Sequence, residues 1–322
     1  MKALIFKRFG EPEVLHIADV PDPAPQPDAL IVRTRAIGLN YADIYRRRGS
    51  YHLEGEPPYI LGYEGAGIVE DAPEGSGFQP GDRVAFADVP FANAELVSVP
   101  AERAIPLPEG TDFDTAAALL LQGMTAHYLV HDSFRVKEGD EVLVHAAAGG
   151  VGQLLVQLCK LRGARVLGLT SSEKKRQAAL SAGADEVLLY GEENWPDRAL
   201  KWSRGGAGLD AAYDSVGATL LDSFAAVKKL GTVVFFGMAG GDPPFIDPRM
   251  LMDTSKTLTG GDLWNHVTTR EDRIARAGDL FRWVAEGRLR LTPPHRFPLQ
   301  EGAEAHRWLE SRASTGKILL IP

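Results

Sequence analysis

The stretch Ala146-Ala147-Ala148-Gly149-Gly150-Val151-Gly152 has the residue types that hold a phosphate. Small residues between a strand and a helix let the chain turn sharply, bring its backbone up to a pyrophosphate and pack the helix close to the strand. The first amides of such a helix lie at the positive end of its dipole, where an anion is favoured. Val142-Leu143-Val144-His145 before the turn reads as a buried strand. After it, Leu154, Leu155, Leu158 and Leu161 recur at helical spacing. The first glycine of G-x-G-x-x-G is replaced by Ala147, with Gly149 and Gly152 in register. Alone the signal is weak, because glycine-rich turns also join strands to helices in other α/β proteins.

A second group of residues bears on which nucleotide would be held. Units that prefer NAD end the second strand in an acidic residue, which accepts hydrogen bonds from the ribose 2′-hydroxyl. Counting along this unit, that position is Thr170, followed by Ser171-Ser172-Glu173-Lys174-Lys175-Arg176. Hydroxyls and cations there suit a 2′-phosphate, which a carboxylate would repel. The same stretch also reads as a helix start capped by Ser172, and the two readings are compatible. Glu173 could instead serve the ribose.

The elements around these groups set the architecture. A chain of 322 residues suggests two domains, and its composition is that of a soluble globular protein. Residues 1 to about 119 are β-rich, with short apolar runs at Leu30–Ile37, Gly65–Val69 and Arg83–Phe86 separated by proline and glycine turns. From 120 to 267 the rhythm becomes strand–helix–strand, which implies a doubly wound parallel sheet. Strands are expected at 141–146, 165–170, 186–190, 209–214, 232–237 and 257–261, with helices at 173–182 and 220–229. A helix over 270–286 and an apolar strand at 317–321 suggest that 268–322 returns to the first domain. The single cysteine, Cys159, excludes a disulfide framework and a multi-cysteine zinc lobe, and it reads as a core residue. A net charge of −8 argues against a nucleic-acid partner. No apolar run approaches the ~18 residues of a membrane span, and nothing resembles a signal peptide. The expected compartment is the cytoplasm.

Over its whole length the chain resembles the zinc-free NADPH:quinone oxidoreductases related to zeta-crystallin, in the medium-chain dehydrogenase/reductase superfamily. The resemblance is carried by Gly38-Leu39-Asn40-Tyr41-Ala42-Asp43-Ile44-Tyr45, Leu61-Gly62-Tyr63-Glu64-Gly65-Ala66-Gly67, Pro80-Gly81-Asp82-Arg83-Val84, Leu121-Gln122-Gly123-Met124-Thr125-Ala126, the glycine turn, Tyr213-Asp214-Ser215-Val216-Gly217 and Gly316 through Pro322. It implies a Rossmann nucleotide domain plus a GroES-like catalytic domain, and frequent pairing into homodimers. Zinc-dependent relatives carry a cysteine where this chain has Asn40 and a His-Glu pair where it has Tyr63-Glu64, so no metal is expected. By the same resemblance, Lys175, Tyr190 and Arg312 hold the 2′-phosphate, while Thr125, Ser215, Phe236, Gly237 and Leu263 lie near the nicotinamide and its ribose. Asn40, Tyr45 and Tyr51 line the cleft for the acceptor, where Asp43 is either an acid–base group or a cap. Arg46-Arg47-Arg48 reads as a solvated helix face or a rim of that cleft. Without zinc the acceptor must be electrophilic already: a quinone, or the activated C=C bond of an enone or enal. A crystallin-like structural or RNA-binding role is the non-enzymatic alternative.

Overall fold

The computed structural model of the protein describes residues 1–192 and 194–322. It divides into two compact units. One comprises Met1–Leu121, Val267–Ala285 and Leu291–Pro322; the other comprises Gln122–His266 and Glu286–Arg290.

The first unit is built on β1 (Lys2–Phe6), β2 (His16–Asp19), β3 (Ala29–Leu39), β4 (Tyr59–Ile60), β5 (Glu64–Asp71), β6 (Arg83–Ala87), β7 (Leu96–Pro100) and β8 (Ala104–Pro106). Helix α1 (Tyr41–Arg48) follows β3, and α2 spans Phe113–Tyr128. β3 is the hub. Its first half pairs with β7, from Ala29 opposite Pro100 to Arg33 opposite Leu96, and it pairs with β5 along most of its length. It is buried on both faces, which explains why its apolar pattern alternates only in part. Leu4, Phe6, Leu30, Val32, Ile37, Phe86, Val97 and Val99 share one core.

The second unit is a parallel sheet of β9 (Glu141–Val144), β10 (Arg165–Thr170), β11 (Glu186–Leu189), β12 (Leu209–Asp214), β13 (Val227–Phe235) and β14 (Thr257–Gly260). The strand order is β11-β10-β9-β12-β13-β14, so the direction of winding reverses between β9 and β12. The intervening helices are α3 (Gly150–Leu161), α4 (Glu173–Ser181), α5 (Trp195–Trp202), α6 (Leu220–Ala226) and α7 (Pro248–Thr254). The helix expected over 220–229 stops at Ala226. Val227 already pairs with Leu209, and the ladder resumes only where Thr232 faces Ala211. The residues between them bulge out through Leu230, whose φ of 65° no helix accommodates. Cys159 is buried, and burial pushes its thiol pKa up, as befits a core residue.

The chain then forms α8 (Arg270–Ala285), β15 (His295–Pro298), α9 (Gly302–Glu310) and β16 (Ile318–Ile321). The expected return of 268–322 is interrupted by Glu286–Arg290, which groups with the parallel sheet. There Gln157 holds Arg290 at both ends, accepting from its N–H at 2.8 Å and donating to its carbonyl at 3.0 Å. β16 pairs with β3, Ile318 opposite Leu39 and Leu320 opposite Ile37, and closes the first core.

The run Arg46-Arg47-Arg48 is not the solvated face its charge suggests, since Arg46 and Arg47 are among the most buried side chains. Arg47 donates to the Gly10 carbonyl at 3.0 Å and to the Glu310 carboxylate at 2.6 and 3.1 Å, and lies 3.1 Å from His306 Nδ1. It joins α1, α9 and the N-terminal segment of this unit. Burial, with the Arg47 charge beside it, pushes the His306 pKa from the ordinary 6.5 down to about 3. The folded imidazole is therefore neutral, whereas the unfolded chain binds a proton below pH 6.5. The contribution of a neutral His306 is complete above that pH and is lost towards pH 3. We expect His306→Gln to remove a slope of up to ~1.4 kcal/mol per pH unit from denaturant-unfolding stability between pH 6 and 4. Equal slopes in the two proteins would rule this out.

Candidate functional site

In the parallel-sheet unit the candidate site is the turn between β9 and α3. Ala146 adopts a left-handed conformation, with φ of 47°, and its carbonyl accepts from Gly149 N–H at 2.8 Å. α3 then comes so close that a Cβ at Gly152 would lie 2.2 Å from that carbonyl oxygen. A Cβ at Gly150 would lie 1.9 Å from Gln122 Oε1. At Gly149 the nearest atom would be 3.2 Å away, so the tightest constraint falls on Gly152, which faces backbone, whereas Gly150 faces the end of a flexible side chain. Ala147 is buried, and its N–H donates to the Leu169 carbonyl at 3.0 Å. Gly149, Gly150, Val151 and Gly152 therefore form a backbone surface at a helix N-terminus, suited to an anion.

At the end of β10, Thr170 is buried and its hydroxyl makes no side-chain hydrogen bond. Ser171, Ser172, Glu173 and Lys174 are exposed and Lys175 is half-buried. Ser172 caps α4, its Oγ accepting from Lys175 N–H at 3.4 Å. Arg176 is engaged within the unit, donating to Glu173 at 2.8 Å, to Glu192 at 2.5 Å and to the Val187 carbonyl at 3.1 Å. Glu173 also accepts from Gln177 at 3.1 Å, so its carboxylate is turned to its own helix.

Tyr190 stands at the glycine turn: its hydroxyl accepts from Ala146 N–H at 3.0 Å and lies 3.1 Å from His145 Nδ1. Ser215 follows β12, and Phe236 and Gly237 follow β13. Phe236 N–H donates to the Asp214 carbonyl at 2.9 Å, and a Cβ on Gly237 would sit 3.0 Å from the Ser215 carbonyl. These three residues are thus held together. Leu263 is buried in a short helical turn capped by Asp262, and Thr125 lies on α2. Arg312 belongs to the β-rich unit, exposed, with φ of 58°.

In the β-rich unit, Asn40 caps α1 at the end of β3. Its N–H donates to Asp43 Oδ2 at 2.9 Å, which gives Asp43 a capping role. Burial raises the Asp43 pKa, opposed by Arg46, whose Nη1 is 3.5 Å away. The Asn40 amide donates to Glu64 at 2.9 Å and to the Gly38 carbonyl at 3.2 Å, and accepts from Lys317 at 2.8 Å. Lys317 also pairs with Glu64 at 2.5 Å, and Leu121 N–H donates to the second Glu64 oxygen at 2.6 Å. This buried group is gathered around the Glu64 carboxylate. Gly38 makes room for it, since a Cβ there would lie 2.2 Å from Glu64 Oε2. Both amide protons of Asn40 are donated inside the unit, which leaves it poorly suited to polarise an acceptor.

The tyrosines form an aromatic row. Tyr41 and Tyr45 have ring centroids 5.5 Å apart, and Tyr45 and Tyr51 6.5 Å apart, both edge-on. The Arg46 guanidinium lies 5.0 Å from the Tyr51 centroid and 3.6 Å from that of Tyr63. Among the described residues, no cluster of three or more His, Cys, Asp or Glu is placed to hold a metal ion, and no helix is long and apolar enough to cross a membrane.

Sequence reasoning missed Lys317, His145 and the carboxylate of Asp214. His145 did leave a signal, a polar residue closing an apolar strand directly before the glycine turn.

Comparison with known proteins places both units. The family model for an alcohol dehydrogenase GroES-like domain matches residues 26–133, and that for a zinc-binding dehydrogenase matches 150–276. The chain is 38% identical over 325 residues to a quinone oxidoreductase of Pseudomonas aeruginosa, covering 100% of this chain and 99% of that one. It is 35% identical to a 2-haloacrylate reductase of a Burkholderia species, covering 100% and 99%. The crystal structure of Escherichia coli quinone oxidoreductase complexed with NADPH superposes with a TM-score of 0.96 at 35% identity, with full coverage of both chains. With its GroES-like unit, its parallel nucleotide-type sheet and this likeness along its whole length, the chain belongs to the quinone oxidoreductase family of the medium-chain dehydrogenase/reductase superfamily.

Proposed function

We propose that the protein is an NADPH-dependent quinone oxidoreductase that works without a metal. The observation that carries the reading is the turn before α3, where Gly152 has no room for a side chain against the Ala146 backbone and the backbone of a helix start is left bare. That surface fits a pyrophosphate. The likeness to quinone oxidoreductases, one of them solved with NADPH, supports the reading. When bound, NADPH supplies a hydride from the nicotinamide ring.

The remaining roles fall to this chain's own residues. The amides of Gly150, Val151 and Gly152 hold the pyrophosphate. Ser171 and Lys175 hold the 2′-phosphate, with Arg312 as a further cation. Ser215, Phe236, Gly237, Leu263 and Thr125 orient the nicotinamide and its ribose. Tyr45 and Tyr51 offer the acceptor an aromatic wall, and the Tyr51 hydroxyl can donate a hydrogen bond to a quinone oxygen. Orientation of this kind is the main service the protein gives an acceptor that is already electrophilic. The reading carries with it a homodimer in the cytoplasm and no nucleic-acid partner. The likeness to a 2-haloacrylate reductase favours a second reading, reduction of an activated C=C bond with the same nucleotide.

Three outcomes test this. In direct binding measurements, NADPH should bind at least ~10-fold tighter than NADH, about 1.4 kcal/mol, from charge-assisted bonds to the 2′-phosphate. Lys175→Ala should remove most of that preference and leave NADH binding unchanged; equal affinities in the unmutated protein would refute the choice of nucleotide. Prolonged chelation should leave quinone reduction intact, because an ammonium and an amide occupy the Glu64 carboxylate. Activity lost to chelation and restored by zinc would overturn the metal-free mechanism. Finally, Tyr51→Phe should lower kcat/KM for a quinone by about tenfold or less, and Tyr51→Ala by more, through loss of the wall. If both variants lose ~100-fold on an enone, Tyr51 is a proton donor and the second reading gains. Unchanged kinetics on both substrates would remove Tyr51 from the site.

A further inference from the structure

Arg46 is a cation enclosed in the β-rich unit, its side chain 1% exposed. Taking a guanidinium out of water is costly unless its N–H groups are matched. Here the matching is incomplete. Nε donates to the His52 carbonyl at 3.1 Å. Nη1 stands 3.5 Å from Asp43 Oδ1, one turn back on α1, which is a loose ion pair. Nη2 has no hydrogen-bond partner among the described residues. The guanidinium lies instead over aromatic rings, 3.6 Å from the centroid of Tyr63 and 5.0 Å from that of Tyr51. The negative faces of these rings take the place of a second carboxylate.

Two of these contacts reach the segment that follows α1. The helix ends at Gly49, whose φ of 76° is left-handed. Gly49 N–H donates to the Arg46 carbonyl at 3.0 Å and Ser50 N–H to that of Tyr45 at 2.9 Å. This closure turns the chain back beside its own helix. Tyr51 and His52 return to α1, and Arg46 meets both, the ring of one and the carbonyl of the other. Tyr45, the preceding residue of the helix, packs edge-on to Tyr51. Tyr63, directly before β5, gives the guanidinium its other contact. The carboxylate behind Arg46 is itself held, since Asp43 accepts from Asn40 N–H and Asn40 joins Glu64 and Lys317. Buried charges thus alternate from Lys317 through Glu64 and Asp43 to Arg46, and the series ends at the Tyr51 ring. An aliphatic side chain could fill the same space, but it would have neither a donor for the carbonyl nor a charge for the rings.

We propose that Arg46 is a positioning residue for the acceptor, clamping Tyr51 and the His52 backbone to α1 and so fixing the aromatic wall that a quinone meets. Being enclosed, it acts through Tyr51 and not on the acceptor. A ring already held by Tyr45 and by a cation keeps its orientation before the acceptor arrives, so less ordering is left to binding. The inference rests on the reading of Tyr51 as part of the acceptor wall.

A double-mutant cycle on the full-length protein tests it, read as kcat/KM for a quinone at saturating NADPH. Arg46→Lys keeps a charge beside Asp43 but loses the planar fork that stacks and donates at once. It should lower kcat/KM by about three- to tenfold, mainly through KM, and leave NADPH affinity within about twofold in calorimetry. In a Tyr51→Ala background the same change should alter kcat/KM by less than about twofold. An equal loss in both backgrounds, or no loss in the first, overturns the proposal. Normal kinetics for Tyr51→Ala alone would refute the acceptor reading, and a measurement without activity then decides the clamp. That measurement is amide hydrogen exchange. Gly49 and Ser50 should exchange at least about threefold faster in Arg46→Lys, with the parallel sheet unchanged. Unchanged protection at these two amides, or a uniform rise across the chain, overturns the proposal. If Arg46→Lys does not fold, Asp43→Asn combined with Arg46→Met removes both members of the ion pair together and carries the same two measurements.

Discussion

A side-chain carbon at Gly152 would stand 2.2 Å from the carbonyl oxygen of Ala146, and this contact sets how closely α3 can approach the end of β9. The rest of the nucleotide unit is arranged around it. Ala146 must adopt a left-handed conformation, which an alanine takes at a cost of about 1–2 kcal/mol. Its two backbone polar groups are both satisfied, one by Gly149 and the other by Tyr190. Gly168 on β10 carries the accommodation one strand further, since a Cβ there would lie 3.1 Å from that of Ala147. Small residues on neighbouring strands are therefore parts of one fit.

The two units handle buried charge differently. In the β-rich unit a carboxylate meets an ammonium: Glu64 and Lys317 are nearly inaccessible and share Asn40 as a common neighbour. In the parallel sheet, Asp214 has no cation at hydrogen-bond distance among the described residues and is satisfied by two hydroxyls and two backbone amides. The first arrangement depends on a partner distant in sequence. The second depends on local donors within ten residues, and its charge orders the loop after β12.

Much of this was legible in the sequence. The strands of the parallel sheet are short apolar runs bounded by turn residues, and a strand buried on both faces leaves that signature. The glycine turn was legible as the junction of a buried strand and a helix. The misread segments share a physical cause. Val227–Lys229 continued a helical pattern, but β13 pairing at Val227 ended the helix. Arg46 and Arg47 looked solvated because their burial is decided by Tyr63, His306 and Glu310, the last two about 260 residues away. Lys317 gave no local sign of its partner for the same reason. Neither propensity nor periodicity carries information about side chains that meet over such separations.

The partnership of Glu64 with Lys317 spans 253 positions, and the whole contiguous stretch 122–266 lies between them. Enclosing Glu64 before that ammonium arrives would strand an unpaired negative charge in the interior, at a cost of several kcal/mol. The hub strand β3 therefore cannot complete its core by local contacts, and must await the docking of β16 across a very large closed loop. The parallel sheet depends less on such separations, because every pairing except that of β12 with β9 joins strands consecutive in the chain. In the vocabulary of assembly, the nucleotide unit has the lower contact order and the β-rich unit, closed by β16 on β3, the higher. The segment inserted between the two halves of the β-rich unit is thus the loop that must close for Glu64 and Lys317 to meet.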